Sequence, residues 1–321
     1  MKTSLYLTLG IPLLGANAFA PALKQFTYHA RSGPSVTRIF AEGGAPQYDK
    51  FNAILQQAEI VGEGSVMLHI DTGDIIIDYQ PGHVLALEIQ GENNAEDTLT
   101  NDGWMRGPYT VSRATDNSFD VLIKVVGDKS KRFASAEPGT CVKFGGKFKV
   151  PIVEGIQKDT VKRVVLISTG VGVGPCVGAI EQALEDSSFP PIELYASYRK
   201  SEEIAYGIHL DHLQEQYSER FAWKAIVSSE GGRLSASEEN LQAIASPEGY
   251  EIHDTHYHLI GNAQMVKEFK AGLGKAGVPD EKVTVEMYFN HKAPVNDDVV
   301  DRIADAISAS CNITLPGEQG M

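Results

Sequence analysis

The chain has 321 residues, 42% of them hydrophobic and 22% charged, which is enough for two domains, each with its own core and no need of cross-links. Its cysteines, Cys141, Cys176 and Cys311, are scattered without C-x-x-C spacing. That argues against a structural zinc or iron–sulfur site and for a reducing compartment rather than a disulfide-built scaffold. A net charge of −14, from 28 basic and 42 acidic side chains, repels nucleic acid and anionic membrane surfaces.

The first segment reads as a leader. Lys2 precedes the apolar run Leu5 to Leu14, too short for a membrane-spanning helix of about 20 residues, and no transmembrane segment is expected. Ala16, Asn17 and Ala18 form an A-x-A-like cleavage site, which taken alone is a secretory signal. The stretch from Phe19 to Ala41 holds Lys24, His29, Arg31 and Arg38 and four serine or threonine hydroxyls, with no acid before Glu42. That composition is of the transit-peptide kind. The junction Ala16-Asn17-Ala18-Phe19-Ala20-Pro21 resembles the ASAFAP cleavage motif of diatoms and related algae with secondary plastids. The resemblance implies a signal peptide over 1–18, a transit peptide over 19–44 and import into the chloroplast stroma. Without residues 1–41 there are 24 basic against 42 acidic side chains, a net of −18.

A β-rich unit follows, assigned to residues 48–155. Its short segments are Val66–Asp71, Ile75–Tyr79, Val84–Ile89, Tyr109–Ala114, Phe119–Val126 and Cys141–Phe144, punctuated by Gly, Pro, Asn and Asp. About six strands in a row with little helical pattern predict an antiparallel barrel or sandwich. Between Lys124 and Arg163 ten basic side chains face four acidic ones. This is either a solvated face or a patch for a pyrophosphate or an acidic partner protein.

After Pro151 the pattern alternates. Strands are expected at Val161–Ser168, Ile192–Ser197, Ala222–Ser228, Tyr257–Gly261 and Val283–Phe289. Helices are expected at Val177–Leu184 and over about 201–217, 237–245 and 263–276. Alternating strands and helices predict a parallel sheet covered on both faces, an α/β domain over 156–292. The extension 293–321 contains a further helix, Val295–Ser310. Ser168-Thr169-Gly170-Val171-Gly172-Val173-Gly174-Pro175 lies between the first strand and helix of this domain, a context suited to a pyrophosphate. His253, His256 and His258 crowd one segment without a supporting carboxylate or cysteine cluster, and no metal site is assigned. No Ser–His–Asp arrangement or G-x-S-x-G elbow points to a hydrolase.

Over residues 60–290 the chain resembles the ferredoxin–NADP reductase family, on five blocks in order. They are Tyr79-Gln80-Pro81-Gly82-His83, Arg106-Gly107-Pro108-Tyr109-Thr110, Gly170 to Pro175, Gly261-Asn262-Ala263-Gln264-Met265 and Glu286-Met287-Tyr288-Phe289. The resemblance implies a FAD-binding β-barrel followed by a nucleotide-binding α/β domain, with hydride moving between NAD(P)H and FAD. It also implies an electron-transfer partner, which the basic stretch 124–163 would dock.

Carried over, Arg106 with Ser130 would neutralise the FAD pyrophosphate, Tyr109 would lie along the flavin, and Thr110 would bond the ring near its hydride-accepting nitrogen. Glu286 and Tyr288 would join Thr110 as catalytic residues, with Tyr288 or Phe289 over the flavin face. Gly170, Gly172, Gly174 and Pro175 would cradle the nicotinamide dinucleotide, beside Gly261 and Met265. Ser228 and Arg233 would take a 2′-phosphate; largely on the plastid compartment the expectation is NADP, with NAD as the other option.

Four positions depart from the family pattern: the three-residue spacing of Arg106 and Tyr109, Arg113 in place of Ser, Val171 in place of Thr, and Ile260 in place of Cys. They leave open a second reading, a flavin- or nucleotide-binding scaffold protein of plastid complexes without turnover.

Overall fold

Leu85, Leu87 and Ile89 are wholly buried and, two apart, share the strand face that fills a core. Such strands, Lys50–Gly62 (β1), Ser65–Asp71 (β2), Val84–Gln90 (β3), Trp104–Ala114 (β4), Ser118–Lys124 (β5) and Thr140–Phe148 (β6), close into an antiparallel barrel. The order around it is β1-β2-β5-β4-β3-β6. The structure, a computed structural model, describes residues 48–91, 103–245, 250–288 and 292–311. The leader expected at 1–18 and 19–44 lies outside them, as does Phe289.

Two barrel expectations are corrected. β1 was absent from the sequence reading yet closes the barrel by pairing with both β2 and β6. Exposed Phe51, Ile54 and Ile60 and a register shift between Leu55 and Gln57 blur its alternation. Ile75–Tyr79, expected as a strand, is irregular. Ile75, Ile77 and Tyr79 still pack against the barrel core, and the Tyr79 hydroxyl donates to the Gly146 carbonyl at 2.7 Å. Burial of alternate residues gave the strand-like pattern without a partner strand. A short helix, Asp128–Ala134 (α1), links β5 to β6.

The second unit is a five-stranded parallel sheet in the order β11-β10-β7-β8-β9, from Arg163–Thr169 (β7), Ile192–Tyr198 (β8), Phe221–Val227 (β9), Thr255–Asn262 (β10) and Val283–Tyr288 (β11). Val164 to Ile167 are all wholly buried, as in a sheet with both faces covered. One core lies under Val173–Glu185 (α2) and Gly207–Gln216 (α3). Another lies under Glu238–Ile244 (α5), Ala263–Lys275 (α6) and Asp297–Cys311 (α7), with the single turn Ser228–Gly231 (α4) preceding α5. The helix expected over 201–217 is instead a 3-10 turn, Ser201–Glu203, and α3, separated at Tyr206, whose φ is +63°.

The barrel meets the sheet through β4 and α2. Between Val111 and Arg113 the β4 register slips by one against β5, a bulge that turns neighbouring residues toward the same side. The backbone of Ser112 lies against Gly178, its Oγ lies against Gly174, and Arg113 makes two hydrogen bonds to Glu181 at 2.6 and 2.7 Å. Residues 174, 178 and 181 form one stripe of α2. A Cβ on Gly178 would overlap the Ser112 carbonyl oxygen. The barrel residues Met67 and Leu122 belong to the same apolar cluster as α2.

Gly178→Ala is expected to lower stability by about 1–3 kcal/mol, as overpacking does. Gly274→Ala, in α6 with open space around it, should be neutral or slightly stabilising. Thermal melts that show equal effects at the two positions would refute this account of the junction.

A polar cluster joins β10 to β11. His256 Nε2 and His258 Nδ1 both meet Thr284 Oγ1, at 3.0 and 2.8 Å. Burial pushes their pKa values down to about 4 and about 3. The folded state thus favours the neutral rings, whose contribution is complete above the free value of about 6.5 and drains as pH falls toward 4. Melting temperature should therefore drop from pH 6.5 to 4.5, and a His256→Asn/His258→Asn variant should show a shallower slope. A slope equal to that of the parent protein would rule these rings out as its source.

Candidate functional site

Thr110 on β4 and Glu286 and Tyr288 on β11 come from distant parts of the sequence and meet in one hydrogen-bonded cluster. The Thr110 hydroxyl donates to Glu286 Oε1 at 2.5 Å and accepts from the Tyr288 hydroxyl at 2.9 Å. A threonine hydroxyl has one proton to give, so the direction of these two bonds is fixed. Glu286 and Tyr288 share a strand face because they are two apart.

Burial raises the Glu286 carboxyl, against the opposing pull of Thr110 and Lys149. Burial and then the Glu286 charge raise the Tyr288 hydroxyl well above its ordinary range. The neighbouring Cys176 thiol is wholly buried and is likewise raised, chiefly by burial. Burial thus favours the neutral forms of both groups.

Two clefts converge on the cluster. The larger, about 740 Å³, has apolar walls from Tyr109, Leu122, Val126, Val171 and Met287, and its cations are Lys124, Lys129 and Lys131. The smaller, about 390 Å³, opens at the C-terminal ends of the parallel strands, the side on which open α/β sheets take ligands. Lys124, Val171 and Tyr288 line both.

The larger cleft has a shape and polarity that suit a flat, largely apolar ring with an anionic tail. Tyr109, half-buried, stands edge-on to Phe133 at 5.7 Å between ring centroids.

Arg106 is placed differently from the expectation. β4 runs in unbroken register against β3 from Trp104 to Thr110, so the three-residue spacing sends Arg106 and Tyr109 to opposite faces. The guanidinium is committed to buried Glu88, Nε to Oε1 at 2.6 Å, and lies 5.4 Å from the centroid of the Tyr48 ring. It does not line the larger cleft.

Ser130 does line that cleft, but its hydroxyl is turned to its own loop. It accepts from the Val126 and Gly127 amides at 2.9 and 3.0 Å and donates to the Gly127 carbonyl at 2.9 Å.

The basic stretch 124–163 is not a uniform patch. Lys131, Lys147, Lys158, Lys162 and Arg163 face Asp128, Asp78, Asp186, Asp254 and Glu193 in ion pairs.

In the smaller cleft Gly170, Ser228, Arg233 and Met265 come together as expected neighbours, joined by Arg199, Asn262 and Gln264. Neither Arg199 nor Arg233 has an acidic partner within ion-pair distance among the described residues. Gly172, Gly174, Pro175 and Gly261 do not line either cleft. Gly172 lies close to the Ile260 carbonyl, Gly174 faces Ser112, and Gly261 presses on Thr169. These glycines serve backbone packing around the site. Pro175 is buried within α2. Ile260 is wholly buried in the core under α2, which accounts for an apolar residue at that position.

Leu122 carries no signal in the sequence apart from its strand, and Lys129 stands out there only as one of the basic residues of 124–163; it reaches the cleft from α1.

Residues 166–271 match the family described as Oxidoreductase NAD-binding domain. A flavohemoprotein of Candida norvegensis is 27% identical over 121 residues, 38% of this chain, and the match spans only 28% of that protein's length. Among solved structures, a ferredoxin NADP+ reductase from Neisseria gonorrhoeae with bound FAD and NADP superposes with a TM-score of 0.61 at 17% identity, covering 75% of this chain and 99% of that one. Flavohemoglobin from Malassezia yamatoensis, with bound FAD and heme, gives 0.61 at 18% identity over 74% of this chain and 60% of its own. The cytochrome b5 reductase domain of Ulva prolifera nitrate reductase gives 0.58 at 17% identity, over 74% and 97%. The chain thus carries an oxidoreductase NAD-binding domain, and its barrel and parallel sheet together have the two-domain fold of the ferredoxin–NADP reductase-like oxidoreductases.

Proposed function

We propose that this protein is a FAD-dependent oxidoreductase that moves hydride between NAD(P)H and FAD and exchanges electrons with a partner protein. The observation that carries this reading is the Thr110–Glu286–Tyr288 cluster at the meeting of the two clefts. A flavin in the larger cleft and a nicotinamide in the smaller one would face each other at that cluster. FAD, when bound, supplies the hydride-accepting ring and the means to divide two electrons into single steps.

The protein's own part is orientation and electrostatics. The apolar walls of the larger cleft would keep water from the reacting rings, and Tyr288, which lines both clefts, would lie beside them. Thr110 is held by two bonds, so its hydroxyl points in one direction. Burial raises the Glu286 carboxyl, which favours its neutral form and would lessen the negative charge beside a ring that receives hydride.

Arg199, Ser228 and Arg233 at the rim of the smaller cleft support NADP over NAD. Lys124, which has no ion-pair partner among the described residues, supports an acidic partner protein at the cleft mouth.

The purified protein should be yellow and should bleach anaerobically with NADPH faster than with NADH. Thr110→Val and Glu286→Gln should each slow bleaching by roughly 10²-fold, the scale of a positioned proton-transfer group, with flavin content unchanged. Arg233→Ala should erase most of the NADPH preference. A colourless protein would remove the flavoprotein reading. The second reading, a scaffold without turnover, is favoured by Ile260 and by the commitment of Arg106 to Glu88. Bound flavin that neither nucleotide bleaches would establish it.

For localisation the reading is import into a plastid. It is supported by the Ala16–Pro21 junction and the acid-free segment behind it. A fluorescent protein fused behind residues 1–47 and expressed in a diatom should collect in the plastid, and Phe19→Ala should divert it. Secretion of the parent fusion would count against the reading.

A further inference from the structure

The larger cleft holds a cation, Lys129, with no ion-pair partner among the described residues. Lys129 rises from α1 and crosses Gly107, where its ammonium donates to the Arg106 carbonyl at 2.9 Å and lies 5.6 Å from the centroid of the Tyr109 ring. An ammonium has three protons to donate, and one hydrogen bond is accounted for here. No carboxylate lies within ion-pair distance of it among the described residues; Asp128, on the same cleft, leans on Lys131 at 3.6 Å. Burial lowers the pKa of Lys129 with no opposing charge to raise it, the condition of a half-buried cation that an arriving anion would relieve.

Its position depends on the residue ahead of Pro108. Any side chain at 107 would run into the Lys129 ammonium and its last methylene, so glycine there leaves the lysine its path. Gly107 also lies within the three-residue Arg106–Tyr109 spacing, which turns Arg106 onto Glu88. One local feature of β4 thus removes an arginine from the cleft and admits a lysine to it.

We propose that Lys129, seated over Gly107, is the cation that neutralises the pyrophosphate of FAD in this protein, in the role that the spacing denies to Arg106. This inference rests on the flavoprotein reading above.

The test compares two flavins. FAD carries the pyrophosphate and riboflavin lacks it, so apoprotein is titrated with each at one ionic strength, with flavin fluorescence as the readout. Lys129→Gln should weaken FAD by roughly tenfold or more, in keeping with the loss of a charged hydrogen bond, and leave riboflavin unchanged. Gly107→Ala, which keeps the charge but displaces it, should act in the same direction, and Lys129→Arg should retain most of the parent affinity. Arg106→Gln should leave the FAD-to-riboflavin ratio near that of the parent protein.

A ratio that survives Lys129→Gln but collapses with Arg106→Gln overturns the assignment. If Lys129→Gln does not fold, a parent-like ratio in Gly107→Ala overturns it instead. A parent protein that binds neither flavin removes the flavoprotein reading, and this inference with it.

Discussion

The molecule depends on how closely β4 of the barrel can approach α2 of the sheet. Two glycines one helical turn apart, Gly174 and Gly178, let the strand come in until the Ser112 side chain and carbonyl touch the helix. That approach brings β4 within reach of the sheet. The Thr110–Glu286 hydrogen bond joins residues 176 positions apart, and it forms only if β4 and β11 are held at one fixed distance. The bulge at Ser112 supplies the other half of the fit, since it turns Ser112 and Arg113 together onto one stripe of the helix. Arg113 then anchors the far end through Glu181, which also meets His209 Nε2 at 2.7 Å. A small residue at 113 would leave that end to packing alone.

Charge is arranged by the same economy. The chain is strongly acidic, yet the wall of the larger cleft carries lysines, and much of the remaining positive charge from 124 to 163 is matched by acids from other parts of the fold. Arg163 shows the extreme case. It is almost completely buried, bonded to Glu193 through two nitrogens and to the carbonyls of Ala243, Ile244 and Ala245 at the end of α5. A run of basic residues in sequence therefore describes several separate electrostatic tasks, and only the lysines without carboxylate partners remain available to a ligand.

The order of barrel and parallel sheet was legible because short β-rich segments set off by turn residues give way, after Pro151, to apolar runs such as β7 that alternate with helical patterns. The Thr110, Glu286 and Tyr288 cluster could be anticipated only through resemblance to a family, since nothing local to Glu286 indicates a partner on β4. What the sequence hid is what depends on the third dimension. β1 is disguised by apolar residues on its outer face, whereas Ile75–Tyr79 imitates a strand because its alternate residues are buried without a neighbouring ladder. The glycine-rich segment 170–178 could be read as a ligand cradle, but a glycine that admits a ligand and one that admits a neighbouring strand look alike in sequence. Gly170 lines a cleft; Gly174 and Gly178 admit β4.

This ambiguity bears on how function can drift on a fixed fold. The contacts between the barrel and the sheet are backbone approaches and buried hydrogen bonds, which tolerate little change because each is close and enclosed. The groups that face the clefts are long side chains whose charged ends have several routes to the same space. One residue between Arg106 and Tyr109 can therefore exchange the cation at the larger cleft without disturbing Thr110, which keeps its register with β3. The position of the rings and the source of the charge around them are separable properties. The first is held by β4, α2 and β11 together, and the second by whichever side chain the local backbone leaves room for.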